Sequence, residues 1–161
     1  MTEQSPAVTI VHAPEAIFRA VNPLVRFLLR TPLAGPLRKH MMVVSFNGRK
    51  TGRRYSIPLS AHQVDDDLYA ITSAPWKFNF RDGATAEVLH EGKKTTMRGE
   101  LIQDRAIVAD VSRRCAESYG VKRAQTMMGL KFRDGRIPTV DEFAEAVDRD
   151  HLAAIRLTPP G

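Results

Sequence analysis

The segment from His40 to Leu59 constrains the fold more than any other part of the chain. An apolar run through Phe46 leads into Gly48-Arg49-Lys50-Thr51-Gly52-Arg53-Arg54-Tyr55-Ser56, and a second apolar stretch, Ile57 to Leu59, leads out. Two short apolar runs separated by a glycine-flanked polar turn read as strand, turn, strand. Glycine lets the backbone reverse and come close to a ligand. The turn then offers backbone N–H groups, a threonine hydroxyl and four cationic side chains, which is the donor set a phosphate requires. We read it as a phosphate clamp for a cofactor, with a solvated hairpin loop as the plainer alternative. Neither GxxxxGKS/T nor GxGxxG occurs anywhere, so a Walker A loop and a dinucleotide-binding fingerprint are both excluded.

Charge placement supports an anionic partner. The formal net charge is +6, and the stretch from Ala16 to Val64 carries nine Lys/Arg and no Asp or Glu. A phosphorylated cofactor, an anionic membrane surface and nucleic acid all fit such a field. Nucleic acid is the weakest of the three, because no stacking aromatics are interleaved with the cations and no known motif is present. The 161 residues, 43% of them hydrophobic, suit one domain with a substantial core. The single cysteine, Cys115, excludes an internal disulfide and gives no zinc spacing. No signal-peptide pattern opens the chain, and no stretch approaches the roughly 20 apolar residues of a membrane span. A cytoplasmic protein is expected, with peripheral contact to the inner face of the membrane kept open.

Along the chain, residues 1–13 read as a tail and residues 14–30 as an amphipathic helix, restarted at Asn22-Pro23 and stopped by Thr31-Pro32. Its apolar stripe packs onto the domain or, alternatively, meets a lipid or membrane surface or covers an apolar substrate. Strands are expected over Met41–Phe46, Tyr55–Gln63, Leu68–Thr72, Ala84–Glu91 and Lys94–Gln103, with turns at Asp65–Asp67 and Gly92-Lys93. Helical composition follows over Arg105–Tyr119 and Lys122–Lys131. A third helix runs to Arg149 behind a capping pair, Thr139 and Glu142. His151 to Leu157 reads as a final strand. The expectation is one domain over residues 1–161, mainly β with flanking helices. Barrel strands fill 40–103, a helical stretch 104–150 and a last strand 151–158.

Gly48–Arg54, Pro58 and Pro75-Trp76-Lys77-Phe78-Asn79-Phe80-Arg81-Asp82-Gly83 resemble the deazaflavin-dependent nitroreductase family, relatives of the FMN-binding split barrels. The resemblance covers about Asn22 to Gln103. It implies a split β-barrel and coenzyme F420, an 8-hydroxy-5-deazaflavin with a phosphate and an oligoglutamate tail. It also implies that Arg49, Lys50, Thr51 and Arg54 hold the phosphate and tail, and that Ile57, Pro58 and Leu59 lie along the ring. Ser73 falls at the strand end that contacts the cofactor, and Trp76 and Asn79 match a Trp-xx-Asn near its pocket. FMN is the runner-up cofactor. The chain departs from the family in two places. Only Ala74-Pro75 separates Ser73 from Trp76, where many members have a glycine-rich segment, and Ser60 stands where some have tyrosine. The short loop and the Asn-Phe-Arg-Asp-Gly run resemble a subgroup linked with lipids and fatty acids.

Several residues carry two readings. Trp76 is a core residue or a ligand contact, and Asn79 a turn former or a site residue. Arg81-Asp82-Gly83 reads as a structural turn and Asp65-Asp66-Asp67 as a solvated one. The five histidines show no metal-ligand spacing, so no metal is expected. Tyr119, Met127 and Met128 read as packing rather than as pocket lining. No catalytic residue is identified. The function that follows is an oxidoreductase passing a hydride from reduced coenzyme F420 to an apolar, electron-poor acceptor: an enone, quinone, nitroaromatic or unsaturated lipid. The alternative is a non-catalytic protein that binds a cofactor or a fatty acid. Monomer and homodimer are both open.

Overall fold

The computed structural model describes residues 6–10 and 40–160. Strands β2 (Met41–Asn47), β3 (Arg54–Ser60), β4 (His62–Val64), β5 (Asp67–Thr72), β6 (Ala84–His90), β7 (Lys93–Ile102) and β9 (Ala153–Thr158) form one seven-stranded sheet. Their order is β3-β2-β6-β7-β9-β5-β4, and every pairing is antiparallel. The remaining pair, β1 (Val8–Ile10) and β8 (Leu130–Phe132), makes a small separate sheet.

Connectivity forces the large sheet to curl. Its two edge strands are β3 and β4, and only Ala61 separates them in the chain. A flat sheet of this width would hold its edges roughly 29 Å apart at about 4.8 Å per strand. One residue cannot span that gap. The sheet therefore closes on itself and leaves a seam between β3 and β4, which is the split barrel expected from the sequence. Pro58 fits this placement, because an edge strand tolerates a residue with no N–H to donate.

Alternation along the strands sorts side chains between two cores. Met42, Val44 and Phe46 of β2 point inward with Ile57, Leu59, Ala70, Val88, Ile155 and Leu157, and Phe80 fills the same interior with no exposed surface. Gly99 makes room for it: a Cβ there would lie 2.6 Å from the Phe80 ring. The opposite face of β5 and β9 carries Tyr69 and Ala154, and three helices cover it. These are α1 (Arg105–Tyr119), α2 (Val121–Met128) and α3 (Val140–Asp150). Val108, Ala116, Phe143 and Val147 supply their buried side. Asp104 caps α1 by accepting from the Ile107 N–H, and Thr139 and Glu142 form the reciprocal capping box of α3.

Three expectations are corrected. Residues 1–13 are not all tail, because Val8 to Ile10 pair with β8 and Val8 is buried. The stretch 104–150 is not helical throughout. Gly129 adopts a left-handed conformation (φ 64°) that stops α2, and Leu130 and Phe132 then alternate inward as strand. The single strand expected over Tyr55–Gln63 is broken at Ala61, where the chain crosses from one sheet edge to the other. The helix expected at 14–30, with its lipid or membrane contact, lies outside the described residues. No helix among the described residues is long and apolar enough to cross a membrane.

Candidate functional site

The basic turn closes the β2–β3 hairpin. Asn47 pairs with Arg54, and the six residues between them fold back on themselves. The Gly48 N–H donates to the Arg53 carbonyl (2.7 Å) and the Gly52 N–H to the Gly48 carbonyl (2.9 Å). Gly52 takes a positive φ of 70°, the conformation in which glycine costs least. Thr51 Oγ1 accepts from the Arg53 N–H (3.3 Å), which leaves its own proton to donate.

Asn79 fixes the turn in place. It lies in the short 3-10 helix Pro75–Phe80 that follows β5. Its Oδ1 accepts from the Arg49 N–H (2.9 Å), and its Nδ2 donates to the Trp76 carbonyl (2.8 Å). The amide oxygen thus ties the turn to the helix, while the amide nitrogen fixes the Asn79 side chain within it. Asn79→Ala is expected to lower stability by about 1 kcal/mol through these two bonds. It should also raise the hydrogen-exchange rate of the Arg49 amide, and unchanged exchange there would count against the tie.

The four cations of the turn are not equivalent. Arg49 donates to the Asp82 carboxylate (3.3 Å), and Arg54 donates to Glu87 (2.6 Å), which also faces Lys94 at 3.6 Å. Lys50 and Arg53 make no ion pair among the described residues, and both are exposed. Arg53, which the sequence reading did not single out, therefore joins Lys50 as a charge with no acidic partner among the described residues.

The other candidate residues are only partly brought together. Ile57 and Leu59 point into the barrel core, whereas Pro58 lies on the opposite face, in register with Val43. The three cannot form one wall through their side chains. Trp76 stacks on Phe46 (5.9 Å between ring centroids) and meets Phe80 edge-on, so it packs against the barrel core while staying partly exposed. Ser73 presents its carbonyl to Lys77 Nζ (3.2 Å). Lys77 itself is 1% exposed and donates a second bond to the His151 carbonyl (2.6 Å). His151 is the C-cap of α3, so the buried ammonium sits at the negative end of that helix. Burial lowers the Lys77 pKa.

A second polar cluster stands at the far end of the hairpin. His40, Gln63, His90, Glu91 and Tyr119 line a cavity of about 250 Å³ near Ala61. It lies about 20 Å from the basic turn, counting the length of β2 at 3.3–3.4 Å per residue. Tyr119 was expected to be packing alone. It packs against the helical core, and its hydroxyl also lies 2.8 Å from Nδ1 of the buried His62. Desolvation pushes the Tyr119 phenol up to about 12 and the Cys115 thiol to about 12, so both are neutral near pH 7. No group of three or more His, Cys, Asp or Glu among the described residues could hold a metal ion.

Desolvation also lowers the His62 pKa from 6.5 to about 4. Between those values the unfolded chain binds a proton that the folded protein does not. Stability is thus complete above pH 6.5 and falls as pH drops toward 4. Unfolding midpoints in urea should show a loss of about 3 kcal/mol across this window that His62→Gln does not share. Parallel curves for the two proteins would contradict the assignment.

No protein-family model matches this chain, and no curated protein matches it. Among solved structures it is similar to a chain described as a domain-swapped dimer, at 10% identity and a TM-score of 0.44, covering 89% of this chain and 99% of that one. It is also similar to the conserved hypothetical protein Rv2991 from Mycobacterium tuberculosis, at 11% identity and a TM-score of 0.46, covering 99% of this chain and 87% of that one. Likenesses this distant say nothing about activity, so any functional reading rests on the residues of this chain.

Proposed function

We propose that this protein is an oxidoreductase that binds reduced coenzyme F420 at the basic turn and serves an apolar, electron-poor acceptor. One observation carries the reading: Lys50 and Arg53 are exposed and have no acidic partner among the described residues, on a turn that Asn79 holds against the 3-10 helix. Two free cations, the Thr51 hydroxyl and the recruitable Arg49 and Arg54 suit a ligand with a phosphate and further carboxylates. Ser73, Trp76 and Asn79, with the backbone of β3 at Ile57, Pro58 and Leu59, are the residues proposed to flank the ring. The deazaflavin supplies the hydride when bound. This chain's residues bind the tail, orient the ring and exclude water. FMN, with one phosphate and no polycarboxylate tail, would use less of the cationic set.

The test is turnover. Purified protein is mixed with reduced coenzyme F420 and a panel of an enone, a quinone, a nitroaromatic and an unsaturated fatty acid, and cofactor oxidation is followed by absorbance. Oxidation above the protein-free rate with at least one acceptor is expected. Tight binding without oxidation would favour the second reading, a non-catalytic cofactor- or fatty-acid-binding protein. That reading draws on the distance of the His62–Tyr119 pair, which sits at the opposite end of the hairpin from the turn.

A further inference from the structure

We infer that Asp82 and Glu87 are built-in competitors for the anionic ligand, and that by holding Arg49 and Arg54 they weaken binding of multiply charged anions to the basic turn more than binding of a single phosphate. The inference rests on the reading of the turn as an anion site and adds a control on its affinity. Asp82 lies two residues beyond the 3-10 helix that anchors the turn, and its carboxylate meets Arg49 Nη2 at 3.3 Å. Glu87 lies on β6 opposite Ser45, and its carboxylate meets Arg54 Nη2 at 2.6 Å and Lys94 Nζ at 3.6 Å. The two acids come from different elements, and each occupies one guanidinium of the turn.

A single phosphate finds Lys50 and Arg53 without an acidic partner among the described residues and gains little by disturbing the other two cations. A ligand with several anionic groups can do more. It can take the place of Asp82 at Arg49 and of Glu87 at Arg54, exchanging one acidic partner for another at each guanidinium. All four side chains in these pairs keep at least 39% of their surface exposed, so the pairs are weak and exchange costs little. The acids then act as placeholders. They keep the turn from presenting four bare cations to any passing anion, and they yield to a ligand that can fill both places.

Inorganic phosphate and tripolyphosphate are the probes, titrated calorimetrically at low ionic strength into wild-type protein and into the double variant Asp82→Asn, Glu87→Gln. Releasing both guanidinium groups is expected to tighten tripolyphosphate binding about tenfold and phosphate binding less than about threefold. Asp82 is exposed and Glu87 partly so, and circular dichroism of the variant checks that it keeps its fold. Tripolyphosphate binding to wild type that the variant leaves unchanged would overturn the inference while the anion site stands. Equal tightening for both probes would also overturn it, because that is a general field effect. Failure of tripolyphosphate to bind either protein would instead remove the anion site and the inference with it.

Discussion

Replacing Lys77 by methionine is expected to lower stability by about 3 kcal/mol, although methionine fills nearly the same space. The ammonium is buried with two carbonyl partners, Ser73 and His151, which are distant in sequence but adjoin where β5 ends and β9 begins. Methionine would leave both carbonyls without a donor and the end of α3 without a counter-charge. Burying a cation is itself costly, which is why the Lys77 pKa is lowered. Breaking such an arrangement from one side costs more than never having built it. Thermal unfolding should shift down by about 6–12 °C for a chain of this size. A shift within 2 °C would mean that Lys77 reaches solvent and that its two bonds carry little.

Loss of both free cations is the second large effect. The double variant Lys50→Ala, Arg53→Ala should bind coenzyme F420 about 100-fold more weakly, since each charge-assisted bond to an anion contributes about 1.5–3 kcal/mol. Its stability should stay within about 0.5 kcal/mol of wild type, because both side chains are exposed and make no ion pair among the described residues. Arg49→Ala and Arg54→Ala should each cost less affinity, because binding there must first displace a carboxylate. If the single changes at Arg49 or Arg54 cost as much as the double change, the division of the turn into free and occupied cations is wrong.

The contrast between these two residues explains what the chain disclosed in its sequence. Lys50 stands in a run of glycines and cations, and such local composition is legible without a fold. Lys77 looks like any surface lysine, because only the tertiary return of α3 places the His151 carbonyl beside it, 74 positions away. The same distance hid the compensation of the turn, since Asp82 and Glu87 each lie 33 positions from the arginine they hold. Long periodic elements were legible: α1 spans Arg105–Tyr119 as its composition predicts, and β6 and β7 fall within a residue of their expected ends. The three-residue strands β1, β4 and β8 were not, because so few residues cannot display a period. Ala61 was equally silent. Nothing local distinguishes it, yet it joins the two edges of the barrel.

The most direct measurement is a fluorescence titration of the purified protein with coenzyme F420 and, in parallel, with FMN, each at low and at high salt. The account predicts saturable F420 binding that weakens as salt rises, with FMN binding more weakly at both salt levels. Absence of binding by either cofactor at low salt would contradict it, and the basic turn would then be an ordinary solvated hairpin loop.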